Sequence, residues 1–175
     1  MDYKTKAVSR SQLRHLSIKL RKLFGVPPGG PFPVLEALEM VPEVFRNCNY
    51  EVQEDCNFPR RVMARCIFNE EGGFTIQIRE SVYVGAYEKH IGAYMGFICH
   101  EICHIFLFTV GFEPVFTRSF RDNELPAYES VEWQAKALCG EVMMPFDETE
   151  GKSVSQIMSE YNVSKGFAKT RQTYH

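Results

Sequence analysis

Apolar residues recur along the chain with two different periods. Leu13, Leu16, Leu20, Leu23 and Phe24 fall three or four apart, which lays one stripe along a helix capped at Ser9 or Ser11 and reaching about residue 24. Gly25 and the run Val26-Pro-Pro-Gly-Gly-Pro-Phe-Pro33 end that helix and form a stiff loop. A short helix over 34–40 is expected before Pro42. The period then drops to two, and residues 44–45, 50–52, 61–68 and 74–79 read as strands, with Asn69-Glu-Glu-Gly-Gly73 as the hairpin turn between the last two. Helical spacing returns over 88–109, up to Gly111. A polar, proline-containing stretch at 113–126 leads to a third long helix over 127–144, stopped by Pro145. Residues 153–160 and 164–173 read as two short helices, a helix-turn-helix in outline that at this length is a packing hairpin.

Composition adds limits to this outline. With 175 residues, 45% apolar and 24% charged, the chain is one domain with at most a small appendage. The net charge of −2 argues against nucleic acid as the main partner. The charge is uneven, however. Residues 1–24 carry seven Lys/Arg against Asp2 alone, a net of +6 that leaves −8 for the rest, and the basic face of the first helix reads as solvated rather than as a nucleic-acid arm. Six cysteines (48, 56, 66, 99, 103 and 139) do not read as disulfides. The start Met-Asp-Tyr-Lys-Thr-Lys has no apolar core of a signal peptide, and Cys99, Cys103 and Cys139 occupy helical core positions, where a free thiol acts as a small hydrophobe. A reduced, cytoplasmic protein is expected. The run 91–112 is long enough to cross a membrane, but His, Glu and His at its centre exclude a lipid-facing helix.

Those three polar residues are the chemistry-bearing part of the chain. In His100-Glu101-Ile102-Cys103-His104 the histidines are four apart and share one helix face, so both imidazoles can bind one ion. Glu101 sits about 100° round from His100, off the ligand face and beside the open position. Burying two imidazoles and a carboxylate without partners costs several kcal/mol, about what a metal would remove. His-Glu-x-x-His is the spacing of zinc peptidases: two nitrogen ligands, a carboxylate base and a water nucleophile.

A hydrolytic zinc site takes a third protein ligand. His90 shares at best the same helix, and His15 and His175 lie elsewhere. In the third helix Ala135, Leu138, Cys139 and Val142 form the apolar stripe, which run backwards reaches Glu132. A carboxylate on a core-facing stripe needs a positive partner, and Glu132 is therefore favoured. Glu129 is the rival, explained as well by the dipole at the helix start. Gln134 and Glu141 fall off the stripe and read as surface.

Gly96-Phe-Ile-Cys-His-Glu-Ile-Cys-His104, Glu132-Trp-Gln-Ala135 and Met143-Met-Pro145, with Asn162-Val-Ser164 and Arg171 toward the end, resemble the ImmA/IrrE metallopeptidase family over about residues 74–171. The resemblance implies an α+β, zincin-like single domain, with a small, mainly antiparallel sheet packed on the motif helix and helices at the C-terminus. Along the chain this divides into a basic helix and Pro/Gly loop (1–33), a metallopeptidase core (34–150) and a helical hairpin (151–175). It puts Zn2+ on His100, His104 and Glu132, and the general base on Glu101. It also implies an endopeptidase that cuts a helix-turn-helix repressor in a stress or mobile-element circuit. No DNA-binding domain fits before Ser9, so that repressor is expected as a separate protein. Cys103, where the family has a small residue, and Leu138-Cys-Gly140, in place of a Phe-Ala-rich run, depart from the pattern.

An oxyanion helper is expected from Tyr83, Tyr94 or Tyr128, and the resemblance implies Tyr83 first, because the loop before the motif helix often faces the cleft in that family. An extended substrate is expected on an exposed strand edge, which the sequence does not identify. Two other classes stay open: a non-catalytic zinc-containing regulator that sequesters a repressor, and a zinc hydrolase of a small amide or nucleotide.

Overall fold

The computed structural model describes residues 2–115 and 125–173. His175 and most of the stretch expected at 113–126 lie outside the described residues. The chain is α+β, with eight helices and one three-stranded sheet among the described residues.

Helix α1 (Arg10–Leu23) begins with a reciprocal cap: Gln12 N–H donates to Ser9 Oγ (3.2 Å) and Ser9 N–H to Gln12 Oε1 (2.9 Å). Leu13, Leu20 and Phe24 are buried, while Leu23 lies half exposed off the stripe. The basic face is not all solvated. Arg21 is fully buried and donates to the carbonyls of Pro27 (2.6 Å), Val142 (2.6 Å), Gly29 (2.5 Å) and Gly30 (2.9 Å), pinning the Pro/Gly loop to the core. Helix α2 (Val34–Val44) runs on through Pro42, where the sequence reading stopped at 40 and made 44–45 a strand. Its buried face explains the difference: Val34, Ala37, Leu38, Val41 and Phe45 keep helical spacing across the proline.

The sheet contains β1 (Asn49–Gln53), β2 (Ala64–Phe68) and β3 (Phe74–Arg79) in the order β1-β3-β2. It is mixed, with β2 antiparallel to β3 but β1 parallel to it, which corrects the mainly antiparallel expectation. Strand β3 takes the centre because Ile76, Gln77 and Ile78 are all buried. The polar member of that run is paired across both neighbours: Arg65 Nε donates to Gln77 Oε1 (2.6 Å), and Gln77 Nε2 donates to Glu51 Oε1 (2.7 Å).

The single helix expected over 88–109 is two, α3 (Glu80–Lys89) and α4 (Gly92–Thr109), separated at His90 in the left-handed conformation. Gly92 is needed at the junction, because an added Cβ would stand 2.5 Å from Asn162 O. Helix α4 has the length and apolar composition to cross a membrane. It is nevertheless the core helix, packed against α2, α3, β2, β3 and α5 (Val131–Met143). Helix α1 packs on α5. After the short α6 (Phe146–Thr149), α7 (Val154–Tyr161) and α8 (Lys165–Thr173) form the C-terminal hairpin.

Packing around α5 overturns one surface assignment. Glu141 is buried, paired with Arg171 at 3.0 Å and with Arg14 at 3.7 Å, since α1 and the α8 arginine cover the side that the stripe left open.

Candidate metal centre

Helix α4 presents His100 and His104 to the start of α5, and three donors converge there. The two Nε2 atoms are 3.0 Å apart, with their rings nearly perpendicular. Glu132 Oε2 lies 3.3 Å from His100 Nε2, and Oε1 lies 3.5 Å from His104 Nε2. A tetrahedral ion with bonds of about 2.0–2.1 Å sets donor–donor edges of about 3.3–3.4 Å. The separations, taken with either Glu132 oxygen, are near that size, and one donor atom from each residue lies within 4.8 Å of the others, so these side chains can hold a metal ion. Among the described residues the group has three protein donors.

Charge is organised around the same atoms. Hydrogen bonds from His100 and His104 hold the Glu132 carboxyl well below the usual range. Burial pulls the His100 imidazole down, but the Glu132 hydrogen bond and the Glu101 and Glu132 charges outweigh it, and its pKa is raised. Glu101 is only 8% exposed. Burial drives its pKa up against the two imidazoles and the Cys66 N–H, which favour the charged form.

The position of Glu132 is set by the N-terminal segment. Ser130 caps α5, its Oγ accepting from Trp133 N–H (2.9 Å) and donating to Asp2 Oδ2 (2.5 Å). Glu132 N–H donates to Asp2 Oδ1 (3.2 Å), and Val131 N–H to Tyr3 O (3.0 Å). Gln134, read from sequence as surface, is fully buried and donates to Lys6 O (2.7 Å) and Tyr128 O (2.8 Å). Those acceptors sit on the segment that covers α5, which a stripe count on α5 alone does not reveal. Glu129 instead pairs with Lys4 at 2.8 Å in the 3-10 turn Ala127–Glu129.

The three donors and Glu101 border a cleft of about 450 Å³ whose opposite wall is β2. Asn69 N–H donates to Gly73 O and Arg79 N–H to Met63 O, so odd-numbered residues of β2 bond toward β3 in the antiparallel alternation. Residues 64, 66 and 68 therefore turn their main-chain groups to the other edge, facing the cleft. The Cys66 N–H beside Glu101 agrees with that phase. Phe68, Phe74 and Phe108 form an aromatic cluster on the same wall, with centroids 4.4–5.4 Å apart, and Phe68 is 60% exposed.

Of the tyrosines, Tyr83 is not brought to this cleft. It lies on α3, stacked on Tyr87 at 6.2 Å and hydrogen-bonded with Tyr50. Tyr94 stacks on Phe97, and Tyr128 is exposed in the 3-10 turn. The tyrosine lining the cleft is Tyr3, which belongs to no periodic element and gave no sequence signal. His15 bonds Ser11 O on exposed α1, and His90 ends α3, so neither joins the cluster. Comparison of the chain with protein-family models and with curated proteins finds no match.

Proposed function

We propose that this chain is a zinc-dependent endopeptidase of the ImmA/IrrE kind, acting on a separately encoded helix-turn-helix repressor. The reading is carried by one observation: His100, His104 and Glu132 bring their donor atoms together at the floor of an open cleft, while Glu101 lies on the adjacent face. Two nitrogens and a carboxylate oxygen suit zinc. When bound, zinc supplies Lewis acidity for the scissile carbonyl and acidifies a water toward neutral pH.

The chain's own residues do the rest. The outer edge of β2 holds an extended peptide through the main-chain groups of residues 64 and 68 and the Cys66 carbonyl, the Cys66 N–H being taken by Glu101. The Phe68–Phe74–Phe108 cluster offers an apolar seat for one substrate side chain. The Glu101 carboxylate accepts the proton of the attacking water and returns it to the leaving amine, a task favoured by the pKa that burial raises. All six thiols are free, which supports a reduced, cytoplasmic setting. Neither a membrane nor direct nucleic-acid binding has a part in this reading.

The test incubates the zinc-loaded protein with a helix-turn-helix protein encoded beside it. Discrete fragments with wild type and none with His104→Ala support the peptidase. A stable complex with the partner left intact would support the alternative, a non-catalytic regulator that sequesters the repressor.

A further inference from the structure

Behind the histidine face, α4 and α5 enclose a second set of donors. Cys99 and Cys103 are one turn apart on α4, Cys139 projects from α5, and the three Sγ atoms lie within 4.8 Å of one another. All three are buried and none is in a disulfide. The geometry points to a trithiol site for a soft, three-coordinate trivalent ion, of which arsenite is the simplest source.

Three features favour that class over a divalent ion. First, the donors are sulfur alone, which selects soft ions. With sulfur bonds of about 2.3 Å, a three-coordinate ion needs sulfur–sulfur edges of up to about 4 Å, within a small side-chain adjustment of the observed triangle. Second, three thiolates around a trivalent centre give a neutral complex. Zinc would leave one negative charge and copper(I) two in an apolar core, a costly burial. Glu101 adds negative charge that acts on Cys139, while Arg21 and His100 act on Cys99 in the opposite sense. Third, there is a way in. Cys139 lines a groove of about 530 Å³ together with Gly96, Phe97 and Phe167. The Phe167 ring rests over the bare backbones of Gly96 and Gly140, about 3.9 Å from where a Cβ would be, so rotation of that ring exposes the thiol.

The reaction balances without an oxidant. Arsenous acid, As(OH)3, exchanges three As–O bonds for three As–S bonds. Each thiol proton leaves on a displaced hydroxide, giving three waters and one neutral tris-thiolate.

The experiment uses the full-length, zinc-loaded chain, kept reduced, incubated with sodium arsenite and desalted. Elemental analysis is expected to find one arsenic per chain with zinc content unchanged, and X-ray absorption at the arsenic edge to find three sulfur neighbours. Cys139→Ser should weaken arsenic retention about tenfold or more, while Cys66→Ser should not. Unchanged zinc in each variant reports that the fold persists, and the absorption spectrum of the wild type decides the case even where a variant fails to fold. Fewer than three sulfur neighbours, full retention by Cys139→Ser, or a second zinc bound at these thiols in place of arsenic would overturn the assignment.

Discussion

Replacing Glu101 by glutamine separates what the residue does for chemistry from what it costs the fold. The shape is kept, and the remaining oxygen can still accept the Cys66 N–H, so the change removes charge and basicity and little else. The pKa of Glu101 is raised, mainly by burial, so the folded state holds this proton more tightly than the unfolded chain does. Its contribution to stability is therefore fully present below the unfolded value of 4.5 and is lost as pH rises through the folded pKa. At pH 7.5 the metal-free wild type bears that cost and the variant does not. An incompletely compensated buried group is worth about 1–3 kcal/mol. At about 2–4 °C per kcal/mol for a chain of this size, Glu101→Gln should melt about 2–12 °C higher than wild type. The gain should shrink toward zero at pH 4.5. Catalysis should move the other way: loss of a general base costs about 10²- to 10⁴-fold, or about 3–5 kcal/mol of barrier, with zinc content unchanged. The assays are thermal melts in chelator at the two pH values and a cleavage time course on gels. Wild-type cleavage by Glu101→Gln would refute the role of base. A lower melting point at pH 7.5, or a gain that persists at pH 4.5, would refute the electrostatic account.

Glu132→Ala should lose zinc by elemental analysis while Glu129→Ala keeps it, because Glu129 is engaged by Lys4 rather than the histidines; the opposite pattern would move the third ligand. Arg171→Met leaves Glu141, 2% exposed, without its close partner, and should cost about 3–5 kcal/mol by urea titration, part of which Glu141→Gln restores in the double variant. Gly92→Ala would push a Cβ to 2.5 Å from Asn162 O and 2.8 Å from Val163 C, both backbone atoms. It should destabilise by about 1–3 kcal/mol by prying the first turn of α4 from the α7–α8 turn.

What could be read from sequence was whatever a single element expresses alone. Four-residue spacing was enough to place His100 and His104 on one face, and the phase of one stripe pointed to Glu132 ahead of Glu129, although its side chain is 56% exposed rather than turned into the core. Ser9 and the turn at 69–73 are local signals as well, and each has its hydrogen bonds in the structure. The features that escaped depend on what lies across from an element. Pro42 suggested a helix end, but a continuous buried face carries α2 past it. Gln134 and Glu141 were off the stripe of α5, yet both are buried because the N-terminal segment, α1 and Arg171 cover other sides of that helix. The parallel pairing of β1 with β3 follows from competition for the centre of the sheet, which no one strand encodes. Tyr83 was ranked on the resembled family's cleft-facing loop before the motif helix, whereas here its segment is a helix, α3, in which it stacks on Tyr87 and bonds Tyr50.

Helix α4 explains why the metal centre and the core cannot be varied independently. Residues 98 to 101 step about 100° apart and so cover every side of the helix. Ile98 and Ile102 are fully buried, as are Cys99 and Cys103 against Cys139. His100 and His104 meet Glu132, and Glu101 meets Cys66 on β2. A helix held at crystal-like density by the isoleucines and cysteines on its inner sides has little free rotation to spare. The direction of the two imidazoles is thus set by the isoleucines and cysteines behind them, and the approach of Glu132 by the same α4–α5 contact. Glu101 then sits where that packing meets the outer edge of β2, against the Cys66 N–H. Its burial is not a cost imposed on the site from outside. It is what the helix must bear to hold a carboxylate between the histidines and the strand, with its pKa raised by that burial.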